Sequence, residues 1–135
     1  MERGLQLLLV DDDTNDLVLF RTAVSKADLA ITVRGEENGQ HAIDYLNRLV
    51  DRRHWPDVIV LDLLMPRKDG FDFLTWHRTS QFASVPVVVF TGLGDQRERE
   101  RGLASGASLV LEKPLRFRQL VEVVRTIASL PLTSV

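Results

Sequence analysis

Five short apolar segments alternate along the chain with five longer segments in which apolar residues recur at helical spacing. Most of the short segments are continuously apolar, which is typical of strands buried on both faces of a parallel sheet. We predict these strands at residues 5–10, 31–34, 58–61, 85–90 and 108–111.

The longer segments predict amphipathic helices. At the start of the first helix, Asp13 or Thr14 is placed to cap the N-terminus. The second helix is predicted to follow an Asn-Gly turn, and its apolar face extends as far as Val50. The last three helices are predicted over residues 71–79, over residues 95–105, which contain the charged run RERER, and from residue 117 onward.

Five strand–helix units in succession predict an α/β fold with a doubly wound, five-stranded parallel sheet. Right-handed crossovers leave few topologies, and we expect the flavodoxin-like strand order 2-1-3-4-5. In sheets of this kind the binding site lies beyond the carboxyl ends of the strands. The residues that follow each predicted strand are therefore the first candidates for chemistry.

Length and composition narrow the class of protein. A chain of 135 residues predicts a single domain over residues 1–135, with a core from about residue 5 to about residue 130. A net charge of −2 gives no reason to expect nucleic-acid or membrane binding. The absence of cysteine excludes disulfides and zinc–thiolate sites, and it suits a reducing cytoplasm, where we expect the protein to reside.

Polar side chains of complementary chemistry stand at the ends of four predicted strands. They are Asp11 and Asp12 after the first strand, Asp62 after the third, Thr91 with Gly92 after the fourth, and Lys113 with Pro114 after the fifth. Two carboxylates ~4 Å apart repel by roughly 4 kcal/mol at an effective dielectric constant near 20. Three carboxylates together therefore require a cation.

The donor types indicate which cation and which substrate. Oxygen ligands without a nearby histidine or cysteine favour Mg²⁺. A threonine hydroxyl and a lysine ammonium suit a phosphoryl group, and Gly92 leaves room for an approaching donor. The residues therefore predict a carboxylate that receives a phosphoryl group beside a metal ion.

Four stretches of the sequence resemble the signature stretches of response-regulator receiver domains, the CheY-like family. They are LLLVDDD, VIVLDLLMPRKDGFDFL, VPVVVFTG and GASLVLEKP, in the order and spacing of the family. The resemblance extends from Leu5 to about Leu130. The long loop NRLVDRRHWPD, with GQHAIDYL and DLLMPRKDGFDFLTWHR, is similar to small stand-alone regulators that serve phytochrome-type sensor kinases.

The resemblance implies a role for each matching residue. Asp62 would be the phosphoacceptor, and Asp12 and Asp62 would bind Mg²⁺ directly. Asp11 would act through a coordinated water, and the backbone carbonyl of Leu64 would complete the protein ligands.

The remaining matches concern the phosphoryl group and the response to it. Thr91 and Gly92 would contact the phosphoryl group, and Lys113 would pair with one of its oxygens. The family also implies a cis peptide bond between Lys113 and Pro114. Val110 stands where an aromatic residue usually moves inward on activation, so the usual threonine–aromatic switch is in question.

The resulting functional hypothesis is a signalling domain that takes a phosphoryl group from a sensor histidine kinase and catalyses only its own phosphorylation and dephosphorylation. Only PLTSV follows the last predicted helix, so we expect no output domain. The signal would pass to a downstream protein by altered binding or by phosphorelay. Association into a homodimer is a further possibility that the sequence leaves undecided.

Two alternatives remain. A phosphatase of the haloacid-dehalogenase type also has an aspartate-rich loop after its first strand, but this chain has Asn15 where that motif requires Thr or Val. It also offers only Glu122 as an acidic ligand after the lysine. The second alternative is a receiver that acts as an unmodified binding module.

Several other polar residues are expected to have no part in the site. Asp13 and Asp16 are predicted to be a helix cap or solvated. His41, His54 and His77 are predicted to be solvated.

Overall fold

The computed structural model describes residues 4–63, 69–92 and 96–133, and it contains five strands and five α-helices in alternation. The strands are β1 (Leu5–Val10), β2 (Ile31–Glu36), β3 (Val58–Asp62), β4 (Val87–Thr91) and β5 (Leu109–Glu112). The helices are α1 (Thr14–Ala27), α2 (Gly39–Asn47), α3 (Asp69–Arg78), α4 (Gln96–Ala104) and α5 (Phe117–Thr133).

All strand pairs are parallel, and the strand order is β2-β1-β3-β4-β5, so the predicted fold class and topology are confirmed. Every residue of β3 and β4 is buried. Continuous burial explains why these two strands are apolar in the sequence up to their last residues, Asp62 and Thr91.

Side chains of successive strand residues point to opposite faces of the sheet and enter two separate cores. In β1, Leu8 and Val10 join the core beneath α2 and α3, whereas Leu7 and Leu9 join the core beneath α1 and α5. The sheet is therefore covered on both sides. No helix in the described ranges is long and apolar enough to cross a membrane.

The second helix is shorter than its apolar pattern predicted. It ends at Asn47, and Val50 is 97% exposed, so the prediction that Val50 continues its apolar face is wrong. Asp51 explains the difference, because its side chain accepts a hydrogen bond from the Arg53 amide and caps a separate 3₁₀ turn at Arg52–His54. A local side-chain hydrogen bond here competes successfully with continuation of the helix.

His77 is buried, so the prediction that it is solvated is wrong. It lies in the last turn of α3 with 3% of its surface exposed, and its ring stacks on Phe73 at a centroid distance of 6.1 Å. Its Nε2 atom has no hydrogen-bond partner among the described residues. Burial lowers the pKa of His77, and hydrogen bonding to the backbone of Val85 and Phe82 offsets this only in part.

We expect His77 to make the protein less stable in mild acid. The unfolded chain takes up a proton near pH 6.5, whereas folded His77 stays neutral to lower pH. The free energy of unfolding should therefore fall as pH drops below about 6.5, with a slope of up to about 1.4 kcal/mol per pH unit from this single proton. Denaturant titrations between pH 5 and 8 should show a shallower fall for His77→Leu, and equal slopes would contradict the assignment.

Candidate functional site

Four strands deliver polar residues to one edge of the sheet. Asp62 is the last residue of β3 and Thr91 the last residue of β4, while Asp11 and Lys113 directly follow β1 and β5. The backbone fixes these positions, since the Lys113 amide donates to the Thr91 carbonyl at 2.7 Å and the Asp11 amide donates to the Glu36 carbonyl at 3.0 Å. The predicted convergence of these residues at the carboxyl edge is therefore present in the structure.

Three carboxylates form a compact cluster at this edge. Asp11, Asp12 and Asp62 each offer an oxygen, and these oxygens lie within 4.8 Å of one another. Asp11 is 7% exposed and Asp62 is 4% exposed, whereas Asp12 is open to solvent. Since all the donors are carboxylate oxygens, the cluster suits a hard divalent cation.

The two oxygens of Asp11 are held by different donors. The Asp13 amide donates to Oδ1 at 2.9 Å, and the Lys113 ammonium donates to Oδ2 at 3.1 Å. Burial raises the pKa of Asp11 to about 6, with the Asp62 carboxylate adding to the rise and both hydrogen-bond donors opposing it. A cation at this position would favour the charged form of Asp11.

The Lys113 ammonium is the positive centre of the site. Its Nζ atom donates to Asp11 at 3.1 Å, to Asp62 at 3.1 Å and to Asp16 at 2.7 Å. Burial alone would lower the pKa of Lys113, but the hydrogen bond to Asp16 and the charges of Asp62 and Asp11 raise it above its usual value. Lys113 is therefore charged at neutral pH and compensates the two buried carboxylates.

Asp16 is the residue that the sequence interpretation missed. It was expected to be solvated or a helix cap, yet its carboxylate pairs with Lys113. Asp13 is the residue that caps α1, as predicted, since its side chain accepts from the Asn15 amide. The sequence feature that could have indicated a role for Asp16 is its position: α1 begins at the same edge of the sheet, so residues of its first turn lie beside the strand ends.

The other predicted site residues have varied surroundings. Thr91 is 2% exposed, and Gly92 is open to solvent. Val110 is 1% exposed, its carbonyl accepts from Arg99 at 3.1 Å, and a Cβ added at Gly102 would lie 3.2 Å from its Cγ2. Val110 thus already lies inside the protein beneath α4. Leu64 falls outside the described residues.

The predicted cis bond before Pro114 is wrong. The described residues contain no cis peptide bond, so Lys113 and Pro114 are joined by a trans bond. Trans is the preferred form of an X–Pro bond by about 0.5–1 kcal/mol. The contacts of Lys113 with its three carboxylates are made with this trans bond in place.

Comparison with known families agrees with this geometry. The sequence profile described as "Response regulator receiver domain" matches residues 7–125. The chain belongs to the response regulator receiver domain family. It is 33% identical over 122 residues to the transcriptional regulatory protein CpxR of Escherichia coli K12, a match that covers 90% of this chain and 48% of CpxR. The chain spans about half the length of the curated relatives it matches.

Solved receiver structures share the fold over nearly the whole chain. The phosphorylated cyanobacterial phytochrome response regulator RcpA superposes with a TM-score of 0.82 at 24% identity, covering 98% of this chain and 96% of RcpA. The Mn²⁺-bound form of response regulator Rcp1 gives a TM-score of 0.78 at 24% identity, covering 97% and 96%. The predicted similarity to phytochrome response regulators is confirmed for the fold. These comparisons give no support to the phosphatase or to the unmodified binding module.

Proposed function

We propose that this receiver domain accepts a phosphoryl group on Asp62 from a sensor histidine kinase and signals through the altered surface that results. The observation that carries the proposal is the position of Asp62, which is buried at the end of β3, inside the acidic cluster and 3.1 Å from the Lys113 ammonium. A buried carboxylate beside a fixed cation is suited to receive an anionic group.

Mg²⁺ is the proposed cofactor. Asp11, Asp12 and Asp62 would hold it, and the family resemblance adds the carbonyl of Leu64. The Mn²⁺-bound form of Rcp1 is a relative by fold with a divalent cation. When bound, Mg²⁺ would neutralise charge on the carboxylates and on the phosphoryl oxygens.

In the transfer step, an oxygen of the Asp62 carboxylate attacks the phosphorus of the donor. The new O–P bond forms as the P–N bond of a phosphohistidine breaks, and the electron pair leaves with the imidazole. Lys113 donates a hydrogen bond to a phosphoryl oxygen, and the Thr91 hydroxyl donates to another. The product is an aspartyl phosphate, and the burial of Asp62 limits attack by water.

The partners follow from this chemistry and from the relatives. A phytochrome-type kinase is the proposed donor, since RcpA is a phytochrome response regulator. A downstream protein would read the phosphorylated state in the cytoplasm. CpxR is a transcriptional regulatory protein about twice as long as the matched region, so its output is not carried over to this chain.

Phosphorylation by a small donor tests the proposal. The protein is incubated with Mg²⁺ and acetyl phosphate, and the adduct is counted by intact mass and mapped after borohydride trapping. One phosphoryl group on Asp62, absent when EDTA replaces Mg²⁺, is the expected result. Steady turnover of p-nitrophenyl phosphate would instead favour the phosphatase, and no uptake from any donor would favour the unmodified binding module.

Asp12→Asn should weaken Mg²⁺ binding by the acidic cluster and, at the same time, raise the free energy of unfolding of the metal-free protein. Asp12 is the exposed member of the cluster, and the carboxylate contacts of Lys113 go to other residues. Removing its charge should stabilise the protein by about 1 kcal/mol in EDTA, because repulsion from its two neighbours is lost. Millimolar Mg²⁺ should then raise the denaturation midpoint of the parent much more than that of the variant.

Asp13→Asn serves as the matched control, since it removes the charge of the next residue and asparagine still caps a helix. This control should keep the full Mg²⁺ shift. If Mg²⁺ moves the midpoints of the parent and Asp12→Asn equally, Asp12 is not a metal ligand.

A further inference from the structure

Asp16 makes the shortest of the three carboxylate contacts of Lys113. Its Oδ2 lies 2.7 Å from Nζ, whereas the contacts to Asp11 and Asp62 are both 3.1 Å. Asp16 lies in the first turn of α1, and its side chain is 35% exposed, compared with 4% for Asp11 and 5% for Asp62. Asp16 is therefore on the solvent side of an ammonium whose other partners are buried.

The donors of Lys113 are fully used by these three contacts. An ammonium has three N–H donors and no acceptor, and three carboxylates accept from it. Two of the three, Asp11 and Asp62, belong to the cluster proposed to hold Mg²⁺ and to receive the phosphoryl group. Asp16 is outside that cluster, so its oxygens are not required by either group.

We propose that Asp16 is a positioning residue for phosphoryl transfer, which anchors the Lys113 ammonium so that an N–H stays directed at the phosphoryl group on Asp62. The inference rests on the proposed function and adds to it the residue that holds the lysine. Asp16 keeps its contact while Asp11 and Asp62 change partners.

The need for an anchor follows from the chemistry of lysine. Its ammonium is a point charge on a flexible four-carbon stem, so it has no preferred direction of its own. The contact with Asp16 joins opposite charges, so it is an ion pair as well as a hydrogen bond and holds the ammonium more strongly than a neutral acceptor would. Asp16→Asn keeps the shape and one oxygen acceptor but loses the charge, and it should loosen Lys113 without disturbing α1.

The matched control is again Asp13→Asn. Asp13 is an exposed aspartate three residues earlier, its carboxylate accepts from the Asn15 amide, and asparagine preserves this cap. Both variants remove one negative charge from the same end of α1. Only Asp16→Asn removes a carboxylate that contacts Lys113.

The first measurement is made without metal or phosphoryl donor. In ¹⁵N-labelled protein, the ammonium protons of Lys113 should give a signal protected from exchange with water, because all three are hydrogen-bonded. The signal should broaden in Asp16→Asn and persist in Asp13→Asn. Persistence in both variants would show that Asp11 and Asp62 hold the lysine without help, and it would overturn the proposal.

The second measurement uses beryllofluoride, a stable mimic of the phosphoryl group, and acetyl phosphate, both with Mg²⁺. Asp16→Asn should bind beryllofluoride at least about fivefold more weakly and be phosphorylated at least about fivefold more slowly than Asp13→Asn. The Mg²⁺ affinities of the two variants should agree within about twofold, since neither residue is in the acidic cluster. An equal loss of Mg²⁺ affinity and beryllofluoride affinity in Asp16→Asn would indicate a general charge effect and contradict anchoring.

The outcomes separate this inference from the proposed function. If the parent is phosphorylated on Asp62 and Asp16→Asn behaves as Asp13→Asn, only the role of Asp16 fails. That role also fails if Asp16→Asn is phosphorylated faster, because Asp16 would then withhold Lys113 from the phosphoryl group. If the parent takes up no phosphoryl group and binds no beryllofluoride, the proposed function and the role of Asp16 fail together.

Discussion

Asp62→Asn is expected to lose phosphorylation almost completely, by at least about a hundredfold in rate, because the amide removes the attacking oxygen anion. The other carboxylates near Lys113 are not equivalent to Asp62. Asp11 has both oxygens held by donors, and Asp16 lies at the solvent side of the ammonium. The rate is measured by intact mass with saturating Mg²⁺ and acetyl phosphate.

Asp44→Asn is the control for this experiment, since it makes the same substitution at an exposed position of α2. It should be phosphorylated at the parent rate. If Asp62→Asn still takes up one phosphoryl group at the parent rate, Asp62 is not the acceptor. Mapping the adduct in that protein would then identify the residue that is.

The strand-end residues were predictable because a parallel sheet aligns the ends of its strands. Apolar runs located each strand to within a few residues, and the polar residue after each run then had to lie at a common edge. Asp62 and Thr91 belong to the strands themselves, one residue beyond the predicted ends. This small extension leaves the site unchanged, since the last strand residue and the first loop residue occupy the same edge.

Asp16 and His77 were not predictable from pattern, for a shared physical reason. Both are polar residues on helices, and a polar helical residue is most often solvated. The burial of His77 depends on the segment after α3, where Phe82 folds back against the helix, with a ring distance of 6.1 Å to Trp76. The contact of Asp16 depends on the approach of α1 to the loop after β5. Such contacts are tertiary, and no local spacing encodes them.

The structure adds a physical reason to question the usual threonine–aromatic switch at Val110. The sequence placed it at a position where the family usually has an aromatic residue, and the structure finds its side chain already buried against α4. The usual aromatic residue moves inward on activation, but the side chain of Val110 is 1% exposed and so cannot make the same inward movement. Outside the sheet, Val110 makes a polar contact through its backbone, where its carbonyl accepts from Arg99.

Lys113→Met should cause the largest loss of stability of any single substitution proposed for this protein, provided that metal is absent. The variant keeps the apolar stem but removes the charge that compensates Asp11 and Asp62, whose side chains are 4% and 5% exposed. Breaking a buried ion pair by removing one partner typically costs about 3–5 kcal/mol. Because Lys113 is itself 23% exposed, we expect a loss of about 2–4 kcal/mol in EDTA at pH 8.

The dependence of this loss on pH and metal distinguishes charge from packing. At pH 8 Asp11 is ionised in the parent, since its pKa is about 6, so the uncompensated charge is fully present. Without Lys113 the pKa of Asp11 should rise further, because the ammonium that opposes the effect of burial is gone. The folded variant then binds extra protons as the pH falls, and the loss should shrink toward pH 5. Millimolar Mg²⁺ should also stabilise the variant more than the parent, because in the variant the cation takes the place of the missing ammonium, whereas in the parent it competes with the ammonium for the same carboxylates.

Lys26→Met, at an exposed position in the last turn of α1, is the control and should change stability by no more than about 0.5 kcal/mol. A loss for Lys113→Met that is the same at pH 5 and pH 8, and the same with EDTA and with Mg²⁺, would mean that Lys113 stabilises the fold by packing and not by its charge.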